Sequence, residues 1–327
     1  MARNHFLEKR LPDIISRMTN KYKIILNPTS GNGNGLRAQA QVEQLFTQHD
    51  LGYHLVQTER IGHGIELTRQ AVRDGYQVIV AVGGDGTVNE VINGLMQCRQ
   101  EGLEIPPIGV LSVGRGNDFA GSMGIPTDLE SAVQALVDGD RRIIDIGKVT
   151  AELCPQGRYF GNCVGVGFDA ITTIEVHKLP RWGGFLGFLV AVLKTVFLYN
   201  KAPMATTIYD EKTLSQRSLM ISIMNGRRLG GSFLLAPDSL PDDGLFDLCI
   251  AEQMSSFAVI RMIPHFIKGD QATQPAIKTG RAAHIAITSV DGPLPAQTDG
   301  EIISEQGTSL EVEILPHELV IICKKQE

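Results

Sequence analysis

Apolar and polar residues along this chain follow two rhythms. In the first part, short apolar runs alternate with segments whose apolar positions recur three and four residues apart. Tyr22–Leu26, Tyr53–Gln57, Val78–Gly83 and residues 107–112 read as strands, while 36–48, 65–73 and 129–137 read as helices. A further helix follows the third strand, because Val88, Val91, Ile92, Leu95 and Met96 keep helical spacing. Such alternation predicts an α/β domain with a doubly wound, mostly parallel sheet. Near residue 145 the rhythm changes. Strand-like segments then dominate, at 158–164, 205–209, 218–225, 245–250, 283–288, 309–315 and 318–323. That series predicts a β-rich second domain, a sandwich, interrupted by an apolar stretch at 183–199 and a helix near Ser256–Lys268.

The length of 327 residues supports two domains. The reading is a nucleotide-binding-type α/β domain over 20–144 and a β-rich domain over 145–315, with a helical extension at 1–19 and a chain end, about 316–327, free to pack back on the first domain. With 43% hydrophobic and 20% charged residues, each half has enough apolar surface for its own core. A formal charge of −6 gives no reason to expect a nucleic-acid partner. Cys98, Cys154, Cys163, Cys249 and Cys323 are odd in number and have no metal or redox spacing, as expected of thiols in a reducing cytoplasm. Arg3, Glu8, Lys9, Arg10 and Asp13 interrupt any signal-like apolar core. Residues 183–199 fall short of a membrane span. They suit core packing over a hydrophobic cleft or, beside Lys178, Arg181 and Trp182, contact with a membrane surface.

Chemistry concentrates in the loops that follow the strands. Gly83-Gly84-Asp85-Gly86-Thr87 joins an apolar strand directly to a helix, so free backbone N–H groups at the turn form a ready anion site. Asp85 would repel bare phosphate, which points to a Mg-nucleotide. The loops at 27–35, 58–64 and 113–118 are also small, polar and Gly-rich, and all lie at carboxyl ends of strands, where ligands of open α/β sheets bind. Thr58 reads equally as a helix cap, and Asn117 and Asp118 also suit caps. Pro241-Asp242-Asp243-Gly244 is good turn chemistry in its own right.

Taken together, Asn27-Pro28 with Gly31, Gly83 to Thr87 followed by Asn89-Glu90, Gly116 to Ala120, Asp145-Ile-Gly147, Asp242-Asp243-Gly244 and Asp299-Gly300-Glu301 resemble the bacterial diacylglycerol kinase-like lipid kinases. Sphingosine kinases, NAD kinases and phosphofructokinases are relatives of that family. The resemblance runs from about Tyr22 to Cys323 and implies an NAD kinase/phosphofructokinase-like first domain, with ATP and Mg2+ as cofactors. It implies nucleotide contacts from Asn27, Thr58, Gly83, Gly84, Asp85, Gly86, Thr87, Val88 and Asn89, and from Arg115, Asn117 and Asp118. It also implies a structural Mg at Asp243 with the carbonyls of Leu240 and Leu245, and a catalytic Mg held by Asp85, Asp118 and Asp145, directly or through water. Glu301 is the implied general base, with Asp85 and Asp299 beside it in the catalytic set. One departure stands out. The family commonly has Thr where this chain has Arg115, so a hydroxyl contact is exchanged for a guanidinium able to grip phosphate.

The implied activity is transfer of the γ-phosphoryl group of ATP to a lipid hydroxyl, diacylglycerol foremost, giving phosphatidic acid. Phosphatidylglycerol, a sphingoid base and a soluble NAD-like substrate are alternative acceptors, and a non-catalytic nucleotide-dependent lipid sensor is the alternative from another class. The expected partners are a membrane lipid and, transiently, the membrane surface, with no nucleic acid. The expected location is the cytoplasm, peripheral to the membrane, and a homodimer is left open.

Overall fold

The computed structural model describes residues 21–178, 184–199 and 201–325. The expected helical extension at 1–19, and Arg181 and Trp182 in the membrane-contact reading, lie outside the described residues. The chain divides into two compact units. Of the described residues, those up to Gly114, Gly124–Arg142 and those from Val320 onward form the first, and Arg115–Met123 with Ile143–Leu319 form the second.

The first unit begins β1 (Tyr22–Leu26), α1 (Ser30–Gln48), β2 (Tyr53–Gln57), α2 (His63–Arg73), β3 (Val78–Gly83), α3 (Asp85–Gln100), β4 (Ile108–Ser112) and α4 (Leu129–Asp138). β2, β1, β3 and β4 pair in that order, all parallel, and Ile321 near the chain end adds a parallel partner to Ile108 of β4. β1, β3 and β4 are buried along their whole length, which explains why they read as unbroken apolar runs. One face packs Ile24, Val80 and Leu111 against Val42, Phe46 and Val133 of α1 and α4. The start of α1 is irregular: Gly31, Asn32 and Gly33 have positive φ, so the regular helix begins after them, near the expected position 36.

The second unit continues β5 (Asp140–Ala151, from Ile143), β6 (Cys154–Phe160), β7 (Cys163–Gly167), α5 (Phe168–Lys178), α6 (Gly184–Leu198), β8 (Met204–Tyr209) and β9 (Lys212–Met224). It ends with β10 (Arg228–Leu229), β11 (Phe233–Leu234), β12 (Phe246–Glu252), α7 (Ser256–Lys268), β13 (Ile277–Ala282), β14 (His284–Ser289), β15 (Ala296–Thr298), β16 (Glu301–Ser304) and β17 (Ser309–Cys323). The antiparallel order is β16-β15-β7-β9-β8-β14-β17. The long β9 serves two neighbourhoods: Lys212 to Arg217 pairs with β8, and the half ending at Met224 pairs with β7 and β12. Alternate residues face opposite sides of this sheet. Ile221, Ile223, Leu248 and Ile250 enter the sandwich core with Ile285 and Val312, whereas Met220, Met224, Cys249 and Ala251 face α6 and α7. Two predicted strands, 309–315 and 318–323, are one strand here, and the predicted strand 158–164 is split between β6 and β7. α5 and the β15–β16 hairpin have no counterpart in the expected elements.

Four cysteines are buried and Cys154 is half-buried; all five are free. Burial pushes the Cys249 thiol up to about 12 and Cys163 well above its ordinary value, which keeps both protonated and unreactive.

Candidate functional site

In the first unit three loops meet at the carboxyl ends of the strands. Asn27 anchors them: its backbone N–H donates to the Val82 carbonyl (2.9 Å), and its side-chain amide donates to Thr87 Oγ1 (3.1 Å). Its side-chain oxygen accepts from the N–H (3.1 Å) and hydroxyl (2.9 Å) of Thr29. Gly31 lies so close to the next loop that a Cβ there would stand 2.2 Å from the Val113 carbonyl oxygen. Only glycine fits at that contact, and its φ of +57 is also one that glycine adopts without strain. The N–H groups of Val113 and Gly114 both donate to the Gly83 carbonyl, at 2.9 and 3.2 Å, and so fix the third loop.

Gly84 is extended and precedes α3, whose first turn begins at Asp85. No side chain caps this helix, so backbone amides at its start face the loop. Gly86, Thr87, Val88 and Asn89 complete the first turn, and Thr87, Val88 and Asn89 are buried. Behind them, Glu90 accepts from the N–H groups of Gly62 (2.7 Å) and Gly64 (2.8 Å), tying the loop before α2 to α3. Thr58 is buried at the end of β2, its N–H donating to the Leu26 carbonyl (2.9 Å). α2 starts at His63 with Gly62 in the cap position, so the capping reading of Thr58 does not hold.

Arg115, Asn117 and Asp118 group with the second unit. Contacts of the short helix Asp118–Met123 account for that. Asp118 Oδ1 accepts from the Gly231 N–H (2.8 Å) and lies 3.9 Å from Arg228 Nε, while Ser122 Oγ donates to Asn162 (3.2 Å) and accepts from the Arg227 N–H (3.1 Å). Arg115 is exposed. Asp118 therefore holds the β10–β11 turn.

Asp145 is fully buried, at 0% exposure, and both carboxylate oxygens accept backbone bonds: Oδ2 from Gly244 N–H (2.7 Å) and Oδ1 from His317 N–H (2.8 Å). It thereby anchors the Asp242-Asp243-Gly244 turn. Asp243 pairs with Arg281, accepts from the Leu245 N–H (3.1 Å), and shares Arg281 with Asp247 at 3.4 Å. Burial raises the Asp247 carboxyl, and Arg281 opposes that rise. Carboxylates and the backbone carbonyls of Leu240 and Leu245 are donors of the right hardness for Mg. Among the described residues no three His, Cys, Asp or Glu side chains group to hold a metal ion, so a Mg at this turn would depend on backbone carbonyls and would compete with Arg281.

Asp299 and Gly300 form the two-residue turn of the β15–β16 hairpin, with φ of 47 and 89, the left-handed pair that Asp-Gly favours. The Asp299 carboxylate accepts three backbone N–H groups, from Gly161 (3.0 Å), Asn162 (3.2 Å) and Cys163 (2.9 Å). The turn is thus pinned to β7, and Glu301 follows immediately as the first residue of β16. Among the described residues nothing bonds the Glu301 carboxylate.

Beside this hairpin lies a narrow apolar cavity of about 60 Å3. Phe188 and Val192 of α6, Phe233 of β11, and Met262, Ile263 and Phe266 of α7 supply much of its wall. Asp169, at the start of α5, is the one carboxylate there among the described residues. Burial holds its carboxyl up at about 6, and the Ser222 hydroxyl, which donates to it, limits the rise. Gly165 leaves room for it: a Cβ at Gly165 would stand 2.6 Å from Asp169 Cβ and 2.7 Å from Gln297 Nε2. Gln297 in turn accepts from the Gly300 N–H (2.8 Å), so a short path of contacts runs from the cavity wall to the Glu301 hairpin. Sequence reasoning missed Asp169. Its signal is an acid directly after an apolar strand, in Gly165-Val166-Gly167-Phe168-Asp169.

The diacylglycerol kinase catalytic domain model matches residues 21–149, and the model of the YegS C-terminal NAD kinase beta sandwich-like domain matches 162–323. A diacylglycerol kinase of Bacillus subtilis (strain 168) is 32% identical over 282 residues, spanning 85% of this chain and 89% of the relative. The lipid kinase YegS of Escherichia coli (strain K12) is 32% identical over 295 residues, spanning 90% and 92%. Among solved structures, a diacylglycerol kinase from Bacillus anthracis str. Sterne superimposes with a TM-score of 0.71 at 21% identity, covering 93% of this chain and 97% of that one. An NAD kinase from Archaeoglobus fulgidus in complex with ATP gives 0.51 at 14% identity, covering 92% and 93%, a likeness of fold.

Proposed function

The chain belongs to the diacylglycerol kinase catalytic-domain family of lipid kinases, and on that premise we propose that it transfers the γ-phosphoryl group of Mg-ATP to the hydroxyl of diacylglycerol, giving phosphatidic acid. Family membership implies ATP as the donor. The observation that carries the acceptor is the apolar cavity beside the Asp299-Gly300-Glu301 hairpin, whose walls of Phe, Leu, Met, Val and Ile side chains suit acyl chains.

In this reading the first unit holds the nucleotide. Backbone N–H groups at the start of α3, with Thr87 and the Asn27 loop, receive phosphate oxygens, and Asp85 faces the Mg that arrives with ATP. The second unit holds the acceptor. Acyl chains lie in the cavity, and Glu301 accepts the proton of the attacking hydroxyl. Its geometry is fixed by Asp299, whose three amide bonds hold the turn rigid, so Asp299 acts as a positioning residue. Arg115, Asn117 and Asp118 keep the nucleotide role that the motif resemblance implies for them, with Arg115 as a phosphate contact. A Mg ion at the Asp-Asp-Gly turn would be held by the Asp243 carboxylate and the carbonyls of Leu240 and Leu245, and would brace the turn that Asp145 anchors.

Labelled ATP, Mg and a panel of diacylglycerol, phosphatidylglycerol, sphingoid base and NAD test the proposal. Label in phosphatidic acid, lost in Glu301→Ala, is the expected result. Label in NAD or in no lipid would overturn it.

A further inference from the structure

Among the described residues that line the cavity, Asp169 and Thr172 are the polar ones, and the rest of the wall is apolar. They stand three residues apart on α5, hence on one face of the helix. Both are buried, at 8% and 1% exposure. The Thr172 hydroxyl has no hydrogen-bond partner among the described residues. Asp169 Oδ2 accepts from the Ser222 hydroxyl of β9, and the other oxygen of the carboxyl is left to the cavity. A polar group buried without a partner is costly. This pair is therefore matched by a group that arrives with the ligand.

Charge decides the kind of group. Among the described residues no cation pairs with Asp169. Cys163 of β7 and Cys249 of β12 feel its charge, and burial holds both thiols protonated. Of the other ionisable groups on elements packed against α5, Lys194 of α6 is engaged with Glu175, Asp299 after β15 accepts three amides, and Glu301 opens β16. On α5 itself Glu175, His177 and Lys178 lie more than a turn further on, and Glu175 also pairs with Lys178. Burial thus favours the neutral carboxyl of Asp169, and a lipid that fills the cavity favours it further by excluding water. A neutral carboxyl donates one O–H, and so does threonine. Two donors on one face of an apolar cavity suit a group that only accepts, such as the carbonyl oxygen of an ester with its two lone pairs.

We propose that Asp169 and Thr172 are specificity-determining residues that read the ester linkage of the acceptor lipid, the carboxyl O–H and the threonine hydroxyl both donating to an ester carbonyl while Ser222 steadies the carboxyl. The second unit thereby selects ester-linked over ether-linked glycerolipids. Contacts from Asp169 past Gly165 to Gln297 and Gly300 put the pair near the hairpin that carries Glu301, as a carbonyl beside the reacting hydroxyl requires. This inference rests on the proposed lipid acceptor for the class of ligand, and on burial and unused hydrogen-bonding capacity for the location.

The test compares dioctanoylglycerol, a diester, with dioctylglycerol, its diether, in detergent micelles with the full chain and Mg-ATP, from about pH 5 to 8. Taking the ratio of kcat/KM for diester over diether cancels the titration of groups common to both reactions. That ratio should be about tenfold at the acid end and fall as pH rises and Asp169 ionises. Asp169→Asn keeps a donor in place and should hold the ratio level across the range. Thr172→Val should lower it about fivefold with KM for ATP unchanged. Circular dichroism and thermal melting check that both variants fold. Calorimetric binding of each lipid without ATP separates the subsite from the reaction. Tighter binding of the diester with no turnover supports the ester subsite and counts against the acceptor. Equal binding and turnover of the two lipids overturns the subsite and keeps the acceptor. Failure of both lipids to bind, a wild-type ratio that does not change with pH, or an Asp169→Asn ratio that follows the wild-type pH course also overturns the subsite.

Discussion

Acidic residues stand in tight Gly-containing turns in both units, yet they behave differently. In the first unit Asp85 opens a helix that has no side-chain cap at Gly84, and Glu90, one turn deeper, ties the loop before α2 to that helix. In the second unit the motif acids are themselves framework. Asp145 holds two turns, Asp299 holds three amides and Asp118 holds the β10–β11 turn. A carboxylate accepting several backbone N–H bonds in a buried setting fixes geometry, whereas chemistry needs a side chain with capacity to spare. Glu301 has that capacity. The difference teaches that a series of Asp-Gly motifs is a mixture of scaffolding and chemistry, and that burial sorts one from the other.

The strongest way to break the comparison is at Glu301. Glu301→Gln should lower kcat roughly 100- to 10,000-fold, as expected for loss of a general base, while ATP affinity measured by calorimetry stays unchanged. Loss of ATP affinity instead would mean that Glu301 serves the nucleotide.

Next is Asp299. Asp299→Ala leaves three buried N–H groups without their acceptor, so urea denaturation should show a loss on the order of 3 kcal/mol or more, together with lower kcat. A stable variant with wild-type kcat would show that the hairpin needs no such anchor.

Asp169 gives a pH signature of the second unit. Its carboxyl is raised from 3.8 to about 6 in the folded chain. Below pH 3.8 it is protonated folded or unfolded; as pH climbs through 6 the buried group must ionise, and the folded state pays for it. The stability of the wild type relative to Asp169→Asn should therefore fall by about 3 kcal/mol between roughly pH 4 and 6. A flat difference across that window would place the carboxylate in a polar setting.

The smallest expected effect sharpens the division between units. Val192→Trp, which fills part of the cavity, should raise KM for long-chain diacylglycerol about tenfold and leave KM for ATP unaltered. Equal changes in both would argue against separate sites for the two substrates.

Much of this was legible beforehand because local rules sufficed. Strands buried on both faces read as apolar runs, so β1, β3 and β4 were found nearly to the residue, and the turn chemistry of Gly83 to Thr87 announced an anion loop. The lipid-kinase family was legible in the order of its motifs. α5 was not, because Phe168–Lys178 mixes buried Asp169, Thr172 and Glu175 with polar exposed positions and so lacks an apolar stripe.

What the sequence determined by itself is therefore the alternation that makes a parallel sheet, the switch to antiparallel β-structure and the kinds of residue in each loop, all set by neighbours a few positions apart. Only the tertiary structure decided which acids are framework, since Asp145 meets Gly244 and His317, and Asp299 meets Gly161 to Cys163, across more than ninety residues of chain. It alone revealed the cavity that gathers α6, α7 and β11 around Asp169. Hydrogen-bond satisfaction and enclosure depend on which distant segments come together, and no local pattern of apolar and polar residues records that.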